Sequence, residues 1–134
     1  MQTFLPYADF EETALALDRR RLGKQRVEAQ QILNAIERGG GWSNHPAVLM
    51  WTGYEPALRL YRNAMIREWV ARGYNNTMEI TRSGGRVRMP PWLGDQSLHA
   101  SHRSNLLRKE PDFYRQHGWG ESPDLPYIWP VQKA

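Results

Sequence analysis

The sequence predicts an all-α domain, a compact bundle of about three main helices closed by an irregular C-terminal strap. Apolar residues recur three or four positions apart over three long stretches, which is the period of an amphipathic helix. Residues that cap or break helices stand at the ends of these stretches. The chain contains no repeat and no low-complexity segment, so residues 1–134 are interpreted as a single domain.

The first helical stretch begins at Asp9 and runs to the glycines at 39–41. Asp9 is followed three residues later by Glu12, which is the spacing of a capping box at a helix start. Gly23 interrupts the apolar pattern in the middle of the stretch. The pattern therefore predicts either one long helix or two helices joined near Gly23.

Two further helices and a tail follow. Pro56 suits the first turn of the second helix, and Gly73 suits the position just after its end. Asp95 can cap the third helix, which is expected to stop before Pro111. The tail at 113–130 is rich in aromatic residues and proline, and we expect it to pack as an irregular strap over the helices.

Composition narrows the class of protein. Hydrophobic residues make up 40% of the chain and charged residues 24%, which is typical of a globular domain. The start of the chain lacks the basic flank and the apolar length of a secretion signal, so we expect a cytoplasmic protein. The chain has no cysteine, which excludes disulfides, a thiolate nucleophile and a cysteine zinc site.

Positive charge is clustered within a net charge of +4. A second basic region at 59–88 holds seven arginines against only Glu68 and Glu79. Such clusters are typical of a surface that binds a polyanion, although a solvated helix face would give the same pattern. The first cluster contains no acidic residue and consists of Arg19, Arg20, Arg21, Lys24 and Arg26.

His99 and His102 lie three residues apart on the third predicted helix, with Asp95 one turn earlier. This spacing admits a metal site, but basic neighbours such as Arg103 would repel a cation. We therefore expect no metal there, and we expect the two imidazoles to contact phosphate or to pack in the core. No phosphate-binding or dinucleotide-binding glycine pattern is present, and no cofactor is expected.

Glu28 lies one turn after Lys24, within the first basic cluster. It could be half of an ordinary surface ion pair. On a DNA-binding face, however, a carboxylate is repelled by phosphate, and a negative charge there is usually retained for chemistry. Trp42 and Trp92 lie in predicted loops, where either could stack on an exposed base.

Three segments resemble the pyrimidine-dimer DNA glycosylase family, the endonuclease V type known from bacteriophage. Residues 54–75, of the form Tyr-x-x-x-Leu-x-x-Tyr and ending in Arg-Gly-Tyr-Asn, resemble the family's middle helix. Residues 99–114 resemble its last helix and the aromatic turn after it. The basic run at 19–24 lies where the family has an arginine-rich run, and residues 17–28 also resemble a related bacterial branch.

The resemblance implies a compact three-helix fold and a DNA-repair enzyme, a glycosylase with AP-lyase activity on pyrimidine dimers or another altered pyrimidine. In the family, the N-terminal α-amine attacks C1′ of the damaged nucleotide, displaces the base and forms an imine, and β-elimination then nicks the strand. An α-amine has a pKa of about 8, so a useful fraction is nucleophilic near neutral pH. For this chain the resemblance predicts Met1 as the nucleophile and Glu28 as the assisting carboxylate, with Lys24 as an alternative amine.

Two positions differ from the family pattern. The family exposes a small residue after methionine removal, whereas Gln2 is too bulky for ordinary removal and leaves the amine on Met1. Where the family has its glutamate, this chain has Arg21 or Leu22, depending on the alignment. Glu28 is the nearest following carboxylate on the helix, about two turns later.

The expected partner is double-stranded DNA, damaged or modified, bound by a monomeric, nucleoid-associated protein. One alternative is a non-catalytic module that recognises distorted or modified DNA. Another is a domain whose basic face binds an acidic protein, which predicts no salt-dependent DNA binding. The residues expected to contact DNA are Arg19, Arg20, Arg21, Lys24, Gln25, Arg26, Asn44, His45, Arg86, His99, His102 and Arg103.

Overall fold

A computed structural model describes residues 1–82 and 85–131, and it confirms the all-α prediction. These two ranges contain no β-strand, and 53% of their residues are helical. No helix in them is long and apolar enough to cross a membrane. The elements are α1 (Phe10–Ala16), α2 (Arg19–Arg38), α3 (Pro46–Leu49), α4 (Glu55–Ala71), α5 (Gln96–Lys109), α6 (Pro111–Tyr114) and a 3₁₀ helix (Arg115–His117).

The first helical stretch is two helices, but they join at Leu17–Asp18 and not near Gly23. The predicted cap at Asp9 is confirmed, since its Oδ1 accepts a hydrogen bond from the Glu12 amide at 2.9 Å. Asp18 has extended backbone and caps α2 by accepting from the Arg21 amide. A side chain able to bind the free amides of a helix start therefore decides where α2 begins.

Gly23 lies inside α2, where glycine is normally unfavourable. A Cβ atom at this position would lie 2.9 Å from Cζ3 of Trp69 on α4. Such a distance is too short for carbon atoms in contact. The glycine thus serves the close approach of α2 to α4 and does not mark a break between helices.

The other predicted ends are confirmed. Pro56 lies in the first turn of α4, and Gly73 follows its C-cap with a φ of +89°, in the left-handed region that glycine tolerates. Asp95 caps α5 by accepting from the Ser97 amide at 2.9 Å, and α5 ends before Pro111. The tail differs in its first part, because 111–117 is helical and only 118–131 is irregular.

The core lies where α2 and α1 pack against α4. Trp51 and Tyr61 are fully buried at its centre and contact each other, and Phe10 of α1 contacts both rings edge-on. The chain before α1 also belongs to this core, since residues 3–6 are buried. An extended segment thus runs among the helices before the first of them begins.

Two buried histidines on α5 bind the backbone of this N-terminal segment. The Leu5 amide donates to Nδ1 of His102 at 2.9 Å, and the Leu5 carbonyl accepts from Nδ1 of His99 at 2.7 Å. His102 therefore carries its proton on Nε2, near the Ile128 carbonyl, whereas Nε2 of His99 accepts from the Gly94 amide. Both rings are neutral and are used in packing the core.

This arrangement predicts acid sensitivity. Burial lowers the pKa of His102 from 6.5 to about 4 and also lowers the pKa of His99. The folded protein favours the neutral imidazole, whereas the unfolded chain is protonated below pH 6.5. The contribution of His102 to the free energy of unfolding is therefore complete above pH 6.5 and is lost as pH falls towards 4. Between pH 7 and pH 5 we expect His102 alone to lower the free energy of unfolding by ~2 kcal/mol, measured by urea denaturation.

The control for this prediction is His102→Asn. An asparagine Oδ1 can still accept from the Leu5 amide but does not titrate in this pH range. The variant should lose less stability than the parent between pH 7 and pH 5. An equal loss in both proteins would show that His102 is not the group responsible.

Candidate functional site

One face of α2 forms the floor of an open groove of about 1000 Å³. Arg20, Lys24 and Glu28 follow one another at intervals of four residues, so their side chains share this face. Trp69 of α4 and Phe113 of α6 line the groove as well. The site therefore combines cationic and two aromatic side chains with three carboxylates, of which Asp18 and Glu110 pair with Arg21 and Glu28 does not.

Three exposed cations surround this face without a carboxylate partner. Arg20 and Lys24 form no ion pair in the described ranges, and the same holds for Lys109 at the end of α5. All three line a depression that adjoins the groove. Arg19 is exposed too, with its guanidinium 4.9 Å from the Tyr74 ring centre. These charges are available to an anionic ligand.

Arg21 and Arg26, which were predicted with them, are engaged within the protein. Arg21 lies 3.3 Å from a carboxylate oxygen of Asp18 and 3.8 Å from one of Glu110, so its charge is largely balanced. Arg26 lines the groove, but its guanidinium stacks over the Trp69 ring at 4.4 Å. The basic run thus divides into side chains that face solvent and side chains that hold the fold.

Glu28 lies where three depressions meet. It lines the main groove, a second depression with Gln2, and a third with Met1 and Trp42. Its Oε2 accepts a hydrogen bond from Nε2 of Gln25 at 2.8 Å. Its Oε1 has no hydrogen-bond partner in the described part of the chain. The carboxylate therefore stands between the first residue and the cationic groove.

Gln25 is only 1% exposed and connects this carboxylate to the N-terminal segment. Its Oε1 accepts from the Phe4 amide at 2.9 Å, and the Tyr61 hydroxyl lies 2.7 Å from the same oxygen. These donors fix the orientation of the amide, so its NH₂ group points to Glu28. One buried side chain thus sets the position of the carboxylate relative to the backbone that leads to Met1.

His45 lies near the first residue. It caps α3 by accepting from the Ala47 amide at 3.0 Å, and its ring lies 5.7 Å from those of Trp42 and Trp129. Burial and the charge of the N-terminal ammonium group both lower the pKa of His45. Asn44 is exposed in the preceding turn. His45 thus lies beside Trp42, which lines a depression together with Met1.

The other predicted contacts lie outside the groove. His99 and His102 are in the core, and Arg103 pairs with Glu121 and donates to the Pro6 carbonyl at 2.7 Å. In the described ranges no three imidazole or carboxylate groups lie close enough to hold a metal ion. Arg86 lines a separate cleft.

The two tryptophans predicted in loops differ from each other. Trp92 packs edge-on against Trp51, with ring centres 5.0 Å apart, and donates to the Met50 carbonyl. Trp42 is 57% exposed and lies beside the Met1 depression. Of the two, only Trp42 presents most of its surface to a ligand.

Sequence reasoning missed Lys109, Trp69 and Phe113. They come from three different helices and meet α2 only through the tertiary fold. Lys109 lies in the last turn of a helix, where a lysine is expected for local reasons alone. No signal in the sequence separates such a residue from one at a binding surface.

Comparison with known protein families finds a match to one family. The sequence model of pyrimidine dimer DNA glycosylase matches residues 1–82. This range contains α1 to α4 and the three residues predicted to be catalytic, Met1, Lys24 and Glu28. No curated protein and no solved structure matches the chain.

The role of Gln25 can be tested through stability. Gln25→Leu leaves the buried Phe4 amide without its acceptor and removes an acceptor of the Tyr61 hydroxyl. The Tyr61 hydroxyl keeps the Phe4 carbonyl as an acceptor at 2.8 Å. One buried amide is then left unsatisfied, so we expect a loss of about 1–3 kcal/mol in the free energy of unfolding, measured by urea denaturation. Gln31→Leu, at an exposed position of the same helix, should change it by less than about 0.5 kcal/mol. Similar losses in both variants would contradict the bridging role.

Proposed function

Since the chain belongs to the pyrimidine dimer DNA glycosylase family, we propose that it removes an altered pyrimidine from duplex DNA and then nicks the strand as an AP lyase. The observation that carries this proposal is the position of Glu28. The carboxylate lies between the depression that Met1 lines and the cationic groove, and Gln25 binds both the carboxylate and the N-terminal backbone. An amine, a proton acceptor and a phosphate-binding surface are thereby adjacent.

The duplex binds along the exposed face of α2. Arg20, Lys24 and Lys109 contact phosphate oxygens, with Arg19 at the edge of the same surface. Such contacts release counterions, so affinity falls steeply with added salt. A distorted pyrimidine dimer stacks poorly and costs less to extrude from the helix than an intact base. The exposed ring of Trp42 offers a stacking surface beside the Met1 depression.

The α-amine of Met1 is the nucleophile. In its neutral form it attacks C1′, the glycosidic bond breaks, and the base leaves with the bonding electron pair and acquires a proton. Loss of a proton from the new ammonium group and opening of the sugar ring leave an imine at C1′. Removal of a proton from C2′ then expels the 3′-phosphate and nicks the strand.

Glu28 moves the protons in this scheme. Its Oε2 is bound to Gln25, whereas Oε1 is available to take a proton from the attacking amine or from C2′. Lys24 and Arg20 line the same depression as this carboxylate. Gln25 is a positioning residue, because it touches the carboxylate and the N-terminal backbone and not the substrate.

Lys24 is the alternative amine. It lies one turn before Glu28 and lines two of the three depressions that meet at the carboxylate. The two amines differ in their surroundings, since Lys24 lies in the groove itself and Met1 in the adjacent depression. Identification of the residue that becomes attached to DNA separates the two possibilities.

Borohydride trapping tests the imine and its nucleophile. Duplex DNA carrying a cyclobutane pyrimidine dimer or an abasic site is incubated with the protein and reduced, and the attached residue is mapped by mass spectrometry. We expect a cross-link at Met1 that persists in Lys24→Arg, because arginine keeps the charge but forms no such imine. Lys109→Arg is the matched control, because it makes the same replacement at another cation of the proposed DNA-binding surface.

A cross-link that maps to Lys24 and disappears in Lys24→Arg would move the nucleophile into α2. Retained DNA binding with no cross-link on either substrate would contradict the imine mechanism on these substrates. It would instead support a DNA-binding module without catalysis.

The carboxylate is tested separately with Glu28→Gln. A glutamine can still accept from Gln25 but cannot take a proton, so strand cleavage should fall by about 100-fold or more while DNA affinity is retained. Glu11→Gln, at an exposed position of α1, is the matched control, and its cleavage rate should equal that of the parent. Undiminished cleavage by Glu28→Gln would remove Glu28 from the mechanism.

A further inference from the structure

A second cationic cleft, of about 510 Å³, lies between α2, α4 and the segment after α4. It shares no lining residue with the groove or with the two depressions beside it. Its described lining contains four arginines and a single carboxylate. The polar lining residues are Gln30, Glu37, Arg59, Arg62, Thr81, Arg82 and Arg86.

This cleft lies on the other side of α2 from Glu28. At 100° per residue, Gln30, Leu33 and Glu37 are roughly 140–200° around the helix axis from Glu28. A ligand seated in the cleft therefore does not occupy the proposed catalytic groove. The proposed DNA contacts along Arg20 and Lys24 do not account for its charge.

Arg62 forms the base of the cleft and is only 5% exposed. Its guanidinium donates to Oε1 of Gln30 at 2.7 Å, to Oδ1 of Asn63 at 3.1 Å and to the Thr81 hydroxyl. All three acceptors are neutral, and no carboxylate of the described ranges lies within ion-pair distance. The Nε–H group has no acceptor among residues 1–82 and 85–131.

A buried guanidinium without a counter-charge is costly, because its desolvation is repaid only in part by neutral acceptors. The single carboxylate of the lining does not supply that charge. Glu37 lies 2.7 Å from the guanidinium of Arg59 and is balanced by it. An anion that enters the cleft would supply the counter-charge that Arg62 lacks.

The rim adds further positive charge. Arg82 and Arg86 are exposed, and neither forms an ion pair in the part of the chain that the structure describes. Arginine forks match the spacing of phosphate oxygens, and the Thr81 hydroxyl can donate to a third oxygen. A tetrahedral oxyanion with two or more charges suits this set better than a single carboxylate does.

We propose that this cleft is a second phosphate-binding site, in which Arg62 binds the anion from below and Arg82 and Arg86 bind it at the rim. The phosphate group comes either from a nucleic-acid backbone or from a free phosphate or phosphomonoester. The site goes beyond the proposed glycosylase function and does not depend on the chemistry at Glu28.

The free Nε–H of Arg62 is the direct reporter. Arginine Nε–H signals are recorded by ¹⁵N NMR while inorganic phosphate replaces chloride at constant ionic strength, and in a second titration while undamaged duplex DNA is added. We expect the Arg62 signal to shift and saturate in at least one titration. Saturation with inorganic phosphate would show that free phosphate is a sufficient ligand. Saturation with duplex DNA but not with inorganic phosphate would identify the nucleic-acid backbone as the ligand.

Rim variants provide the matched comparison. Arg86→Gln should weaken the binding seen at Arg62 by about tenfold, the effect of losing one charge-assisted hydrogen bond. Arg115→Gln removes the same charge from a side chain that is 75% exposed and outside the cleft, and it should bind as the parent does. An Arg62 signal that stays unchanged with both probes, or equal binding by the two variants, would overturn the proposal.

Discussion

The N-terminal segment is buried and extended, yet it pairs with no β-strand in the described ranges. Its amides and carbonyls cannot be left without partners, since a buried backbone group loses its hydrogen bonds to water. Side chains therefore supply these bonds, and they come from α2, α4, α5 and the C-terminal tail. The partners are Gln25, Tyr61, His99, His102, Arg103 and Tyr127. This requirement ties the helices to the first residues of the chain.

The same requirement places the candidate site. Gln25 accepts from the Phe4 amide with one end of its side chain and donates to Glu28 with the other. One buried side chain thus links the carboxylate to the backbone of Phe4, three residues from Met1. Groups held on helices and buried backbone keep their relative positions better than groups on loops. Met1 and Glu28 line the same depression.

Local signals predicted much of the fold, and tertiary contacts explain the rest. Asp9, Pro56 and Asp95 were interpreted correctly because caps and helix starts depend on neighbours within a few residues. Gly23 was misread because its reason lies on α4, where Trp69 leaves no room for a Cβ atom. Asp18 was overlooked as a cap for the converse reason, since the glycine offered the stronger local signal for a break.

The basic clusters show that sequence reasoning has the same limit at the candidate site. The sequence reveals how many cations lie in each basic region but not which way they face. Arg21 is held by carboxylates, and Arg26 stacks on an indole, so only part of the first cluster is free. The second region contributes little to the groove, because Arg59 and Arg62 lie on the far side of α2. Since phosphate binding depends on unpaired cations and not on their total, the net charge of +4 describes neither surface. Each surface is defined instead by which arginines and lysines the fold leaves without a carboxylate.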